Sequence, residues 1–281
     1  MVSGSGLALR VTASWMLMRA ALETPCRLME RKRLPVAAVK GWDLSQSLYP
    51  FEGCRPMGDV DLLLPPARAA EALQAFLSCG WKAMGPGRGL FSSGTVSELK
   101  LVSPRRQLVE LHTHPFYFPS TFPGRSPQLL PAPNRRLEPG LGALAWPDSL
   151  AFLLLNVLAE PSTRPTQWVD IAASCRKLSN LDDWLTLCRR LAPTGLGPAA
   201  GSVLERAADL GAVVPNRVLA LLRSFPDRRR VLRALHLGGG VPTLTAVLLG
   251  GWRGISLGAA QLARLVLRQG ALRQHGGKAR R

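Results

Sequence analysis

The residues best placed to do chemistry in this chain are acids set singly between apolar neighbours. Asp59-Val60-Asp61 runs on into Leu62-Leu63-Leu64, and Val109-Glu110-Leu111 repeats the pattern later in the chain. Side chains alternate across a strand, so on a strand Asp59 and Asp61 share one face while Val60 and Leu62 turn to the core. Two carboxylates one pleat apart make a clamp for Mg²⁺ (or Mn²⁺), which takes oxygen ligands and keeps positions open for phosphate oxygens. If the two strands are neighbours, Glu110 completes an acidic triad suited to two-metal phosphoryl transfer. An Asp-x-Asp by itself is common on solvated strand ends. Here the apolar strand, the Lys40-Gly41 turn before it and the third acid after it add weight.

Other polar residues fall in reach of that triad. Lys40 and Arg55 can neutralise phosphate charge, Arg55 through a bidentate fork four residues before Asp59. His112 follows Glu110 on the same strand face and reads as a hydrogen-bonded structural histidine or an acid/base group. Lys100 and Glu98 share a face on another strand, either reaching the site or forming an exposed pair worth little. Asp170, beside Trp168 in a helical pattern, reads as a packing or interdomain residue. The sequence contains no P-loop, no Ser/His/Asp triad and no histidine spacing for a metal.

Periodicity indicates the elements that position these groups. A helix is expected over 7–33, ending before Pro35. The apolar run 36–39 reads as a buried strand entering Lys40-Gly41, and 43–49 as a helical turn or loop. Pro65-Pro66 stops the Asp59 strand and starts a helix with Ala69, Leu73, Phe76 and Leu77 on one face, closed by Gly80. Strands at 97–102 and 107–112 flank a hairpin turn at Ser103-Pro104-Arg105-Arg106. The Pro-, Gly- and Arg-rich span 115–139 reads as a loop or linker. Helices follow at 148–159, 168–177, 181–191 and 199–210. The expected fold is therefore α+β: a mixed sheet with flanking helices, then an all-helical C-terminal region. The divisions drawn from this texture are a helical segment 1–34, an α/β domain 35–138 and a basic helical region 139–281.

The chain has 281 residues, 47% hydrophobic and 19% charged, which is a globular composition with room for a full core. Its net charge of +18 is uneven: residues 211–281 hold 13 Lys/Arg against one acid, Asp227. Such a one-signed tail attracts polyanions, either nucleic acid such as RNA or an anionic membrane surface, although an arginine-rich composition alone also gives it. Five cysteines without a CxxC spacing argue against a disulfide framework or structural zinc, and for a reducing, cytoplasmic location. Arg10, Arg19 and Glu23 interrupt any signal-like apolar run. The uncharged stretch 234–252 nears membrane-span length, but Gly238-Gly239-Gly240-Val241-Pro242 breaks it. Peripheral membrane association of the basic end is the membrane reading that fits.

Several segments together resemble the uncharacterised nucleotidyltransferase family of the polymerase-β-like superfamily. They are Val39-Lys40-Gly41, Leu48-Tyr49-Pro50, Arg55-Pro56-Met57-Gly58-Asp59-Val60-Asp61-Leu62-Leu63-Leu64, Cys79-Gly80-Trp81 and Val109-Glu110-Leu111-His112, with Trp168-Val169-Asp170-Ile171-Ala172 as a later helical signature. The resemblance covers about residues 20–190. It implies Mg²⁺ and NTP binding and transfer of a nucleoside monophosphate to an acceptor; the residues leave open whether that is RNA, a membrane-linked group or a protein. It also implies Asp59 and Asp61 as metal ligands, Glu110 as a further ligand or base, and Gly41 as the place where backbone approaches the triphosphate. Where the broader superfamily has Gly-Ser or Gly-Gly, this chain has Gly41-Trp42, and Asp59 follows Gly41 by 18 positions. Two alternatives stand beside this one. One is a degenerate domain that binds through its basic tail; the other is a metal-dependent glycosyltransferase, which also uses Asp-x-Asp but behind a longer Rossmann-like series. Because clustered carboxylates repel without metal, Asp59→Asn and Asp61→Asn are both expected to leave stability unchanged or slightly raised.

Overall fold

The computed structural model of the chain describes residues 4–51, 53–84, 88–92, 94, 96–115, 129–159 and 164–226. The basic run from Arg228 onward, the uncharged stretch 234–252 and the leucines of the basic C-terminal end lie outside the described residues. Among the described residues, no helix is long and apolar enough to cross a membrane.

The chain opens with α1 (Gly4–Arg31) and enters the sheet through β1 (Ala37–Val39), all three residues of which are buried. Lys40 then turns the chain with φ 53°, and the short α2 (Gly41–Ser47) begins at once. A loop carrying Arg55 leads into β2 (Asp59–Leu63). Pro65 and Pro66 end that strand, and α3 (Ala69–Ser78) buries Ala72, Leu73 and Phe76 before Gly80, at φ 81°, reverses the chain. Then come β3 (Lys82–Ala83), α4 (Arg88–Ser92), β4 (Glu98–Val102) and β5 (Leu108–His112). The turn between the last two is closed by Ser103, whose hydroxyl accepts from the backbone N–H of Arg105 and Gln107.

The span expected as a linker instead supplies β6 (Pro131–Glu138), and β7 (Leu141–Leu144) follows directly. Sequence missed both for physical reasons. β6 is the last strand of the sheet and pairs with shifted register, so it tolerates Pro131 and Pro133 where a central strand would not. β7 has only four residues, one of them Gly142.

The seven strands run in the order β3-β4-β5-β2-β1-β7-β6, with β2–β5 and β1–β7 parallel and the other pairs antiparallel. Alternation divides the sheet into two faces. On one, Ala38, Val60, Leu62, Leu99, Leu101, Val109 and Leu111 form a core with Trp15, Leu22 and Met29 of α1 and with Leu73 and Phe76 of α3. On the other, Ala37, Val39, Leu63 and Leu144 pack on Phe152 of α5 (Trp146–Ala159). The acids share that second face. The remaining helices, α6 (Pro165–Cys175), α7 (Leu181–Leu191), α8 (Gly197–Asp209) and α9 (Asn216–Ser224), close a separate core around Leu154, Trp184, Leu187 and Leu204. The α+β class expected from the pattern is therefore the observed one: a mixed sheet flanked by helices, with a helical C-terminal region.

Candidate active site

β2 and β5 lie side by side in parallel, and their register puts Asp61 opposite Glu110 and Leu63 opposite His112. Side chains in register on neighbouring strands point the same way. β4 adds Lys100 opposite Glu110 and Glu98 opposite His112. One sheet face therefore carries Asp59, Asp61, Glu110, Glu98, Lys100 and His112. They line one side of a pocket of about 390 Å³, except His112, which is buried.

Within this cluster Asp61, Glu110 and Glu98 have cationic partners. Lys40 Nζ lies 2.7 Å from Asp61 Oδ1, and Lys100 Nζ lies 2.5 Å from Glu110 Oε1 and 3.9 Å from Glu98 Oε1. His112 Nε2 is 2.8 Å from the same Asp61 oxygen and 3.6 Å from Glu110 Oε2. One ligand atom each from Asp61, Glu110 and His112 falls within 4.8 Å of the others. Asp59 lines the pocket beside them and is only half-buried.

The two aspartates sit in opposite electrostatic settings. Burial alone would raise Asp61, but Lys40 and His112 hold its carboxyl well below the usual range. Asp59 goes the other way: burial raises it, and the charges of Asp61 and Glu110 raise it further. Glu98 is likewise pushed up, first by burial. Burial and the charge of Lys40 pull His112 down, and its hydrogen bond to Asp61 and the neighbouring Glu110 carboxylate outweigh them, so its pKa is raised.

The donor chemistry fits a hard divalent cation. Four carboxylates line one face of the pocket, with Asp61 and Glu110 drawn together beside His112, and carboxylate oxygens suit Mg²⁺ or Mn²⁺. Lys40 and Lys100 show that positive charge is what the cluster calls for. The cluster could thus bind a metal.

The other wall of the pocket comes from residues that sequence reasoning left out or set aside. Asn156 of α5 and Arg164, Thr166, Gln167 and Asp170 in and before α6 line it. Asp170 accepts from Arg55 Nε at 3.1 Å and Nη2 at 2.7 Å, and from the Tyr49 hydroxyl at 2.8 Å. The available signal was an acid in the apolar Trp168-Val169-Asp170-Ile171-Ala172 run. Gly41 lines the pocket too, and a Cβ there would meet Arg55 Nη1 at 2.5 Å, so this position must stay small while Arg55 lies across it.

Trp42 does not enter the pocket. It is fully buried and stacks on Trp15 of α1 with ring centroids 5.5 Å apart and planes 13° apart. Helix α2 begins at Gly41, and the next residue points into the core that α1 covers. Trp42→Phe is accordingly expected to lower stability by about 1 kcal/mol, the usual scale for a near-conservative core change. Steady-state constants should stay within about twofold of wild type. A large rise in nucleotide KM without destabilisation would put Trp42 at the site.

A profile of the uncharacterised nucleotidyltransferase family matches residues 9–212. The chain belongs to that family. It is accordingly a nucleotidyltransferase, and the matched span takes in the whole sheet and the helices through α8. No curated protein matches the chain. Among solved structures, a similar one is the solution structure of the antibiotic-resistance factor ANT(2'')-Ia. It is 14% identical, covers 71% of this chain and 94% of that one, and gives a TM-score of 0.42. A likeness so slight supports no residue-by-residue correspondence.

Proposed function

We propose that this nucleotidyltransferase moves a nucleoside monophosphate from an NTP to an acceptor hydroxyl, with Asp59, Asp61 and Glu110 as the residues that hold divalent metal. The observation that carries this reading is the register of β2 on β5, which sets Asp61 beside Glu110 on the face that Asp59 also lines. Mg²⁺ (or Mn²⁺), when bound there, supplies Lewis acidity toward the phosphate oxygens. The protein groups do the rest. Lys40 and the Arg55 guanidinium face the same pocket and neutralise the triphosphate, and Gly41 leaves room for it. His112 donates from Nε2 to Asp61 and keeps that carboxylate aimed. In the transfer the acceptor oxygen bonds to the α-phosphorus as the bond to pyrophosphate breaks. The acceptor's proton leaves to a carboxylate of the cluster, with Glu110 the candidate base.

The catalytic unit in this proposal is residues 35–138, its sheet completed by β7, with 1–34 and the region from 139 packed around it. The basic C-terminal charge favours RNA or a membrane-linked group as the acceptor, with a protein acceptor as a further candidate.

The test is transfer of label from each of the four α-³²P-NTPs, with Mg²⁺ or Mn²⁺, to total RNA, membranes and cell protein. Label should enter one fraction with the wild-type chain and not with Asp61→Asn. Absence of transfer from all four NTPs to all three fractions would overturn the proposal.

A further inference from the structure

Arg55 sits in the loop before β2, yet the residue that fixes it lies 115 positions away on α6. Asp170 is 1% exposed, and its two oxygens take Arg55 Nε and Nη2 and the Tyr49 hydroxyl. Arg55 Nη1 donates to Pro56 O at 3.2 Å. A guanidinium has five N–H groups. Among the described residues these contacts use one each on Nε, Nη1 and Nη2, leaving one N–H on each terminal nitrogen. Arg55 lines the pocket together with Lys40, Gly41, Asp59 and Asp61, and its Nη1 lies against Gly41.

A buried arginine pinned on one edge is a rigid fork. Its planar geometry matches phosphate oxygens, and pinning removes most of the side-chain entropy that a loose arginine would lose on binding them. A carboxylate as buried as Asp170 is kept only with its charge answered, and here Arg55 answers it.

We infer that Asp170 and Tyr49 are positioning residues, acting through Arg55 to build a binding site for the triphosphate chain of the nucleotide, so that the helical region is part of nucleotide capture. This rests on the nucleotidyl-transfer reading for its ligand class. It goes beyond that reading in assigning the capture of phosphate to a contact between α6 and the loop before β2. Asp170 touches no reacting atom, so its loss acts on binding more than on turnover.

The probe that isolates this is inorganic tripolyphosphate with Mg²⁺, measured by calorimetry on the full chain, because it carries no base and needs no acceptor. Asp170→Asn is expected to weaken its binding by about tenfold, the scale of a lost charged hydrogen bond, and Tyr49→Phe by about threefold, because Arg55 then keeps its own bonds to Asp170. In transfer assays the same variants should raise the NTP KM with kcat little changed. In an Arg55→Gln background, Asp170→Asn should add no further loss, since residues acting as one unit are not additive. Should Asp170→Asn fail to fold, Tyr49→Phe and Asp170→Glu carry the test. Wild-type tripolyphosphate affinity in the folded variants, or full additivity with Arg55→Gln, overturns the inference. The two proposals fail separately: dependence of tripolyphosphate binding on Asp170 with no NTP transfer by wild type keeps this site and removes the transferase reading.

Discussion

Asp61→Asn is expected to lower nucleotidyl transfer by about 10³-fold, on the scale of losing a group that stabilises transition-state charge. It should also destabilise the protein, unlike Asp59→Asn. The reason lies in the partners. Asp61 carries Lys40 at 2.7 Å and His112 at 2.8 Å on one oxygen, and both lose a charged acceptor when it becomes an amide. Breaking a buried pair from one side costs about 3–5 kcal/mol. Asn keeps one acceptor oxygen for them, so roughly 2–3 kcal/mol is the expected loss. Asp59 is half-buried among like charges, and its amide removes repulsion, so the metal-free protein should melt higher. The symmetric expectation for the two aspartates is replaced by a split one.

The pH dependence carries the same signature with opposite signs. Asp61 has a folded pKa below its unfolded value, so its contribution is present above about pH 4 and fades as pH falls toward the folded value. Asp59 has a folded pKa above its unfolded value. The folded state favours its proton, and stability is lost as pH rises from about 4 through the folded value. Thermal melts of both variants between acid and neutral pH check this: Asp61→Asn should flatten the acid-side loss, and Asp59→Asn the loss on the rise. Equal and small shifts in both would mean that Lys40 and His112 do not hold Asp61.

Gly140→Ala is expected to cost on the order of 3–5 kcal/mol, near the top of the range for a single change. Gly140 joins β6 to β7 at φ 74°, and a Cβ there would sit 2.1 Å from the Cys26 carbonyl oxygen and 2.9 Å from its carbon. Both are backbone atoms of α1, so relief requires the helix to lift from the sheet. Gly211 is the control. Its φ of 87° imposes the same conformational strain, but nothing lies within 4 Å of the added methyl. Gly211→Ala should therefore cost only about 1 kcal/mol. Urea titrations of the two variants separate steric overlap from strain. A Gly140→Ala midpoint no lower than that of Gly211→Ala would mean that α1 does not press on this turn.

The candidate site was legible where its logic is local. Alternation of acid and apolar residues on β2 and β5 put Asp59, Asp61 and Glu110 on one face, because the period of a strand is written in consecutive residues. The same alternation put Glu98, Lys100 and His112 on their faces without saying what they touch. Contacts that depend on pairing across the fold were not written that way. Nothing near Arg55 announces Asp170, and nothing near Trp42 announces Trp15, so the departure at Gly41-Trp42 could not be read as a core residue from the sequence. β6 and β7 escaped because an irregular edge strand and a four-residue strand lack a period long enough to read.

The central strand β1 has consequences for the order in which the sheet can be assembled. It pairs on one side with β2, whose residues follow closely, and on the other with β7, about a hundred residues later. Closing that second contact carries the larger chain-entropy penalty, so it is the slower pairing. As the chain leaves a ribosome, every acid of the cluster and all four strands β3-β4-β5-β2 can be in place before residue 141 emerges. Until then one edge of Ala37–Val39 offers unpaired backbone beside buried apolar side chains. A nascent or truncated chain lacking β7 would thus hold its chemical groups together while exposing an adhesive edge, and a second copy of the same intermediate is the strand most ready to fill it.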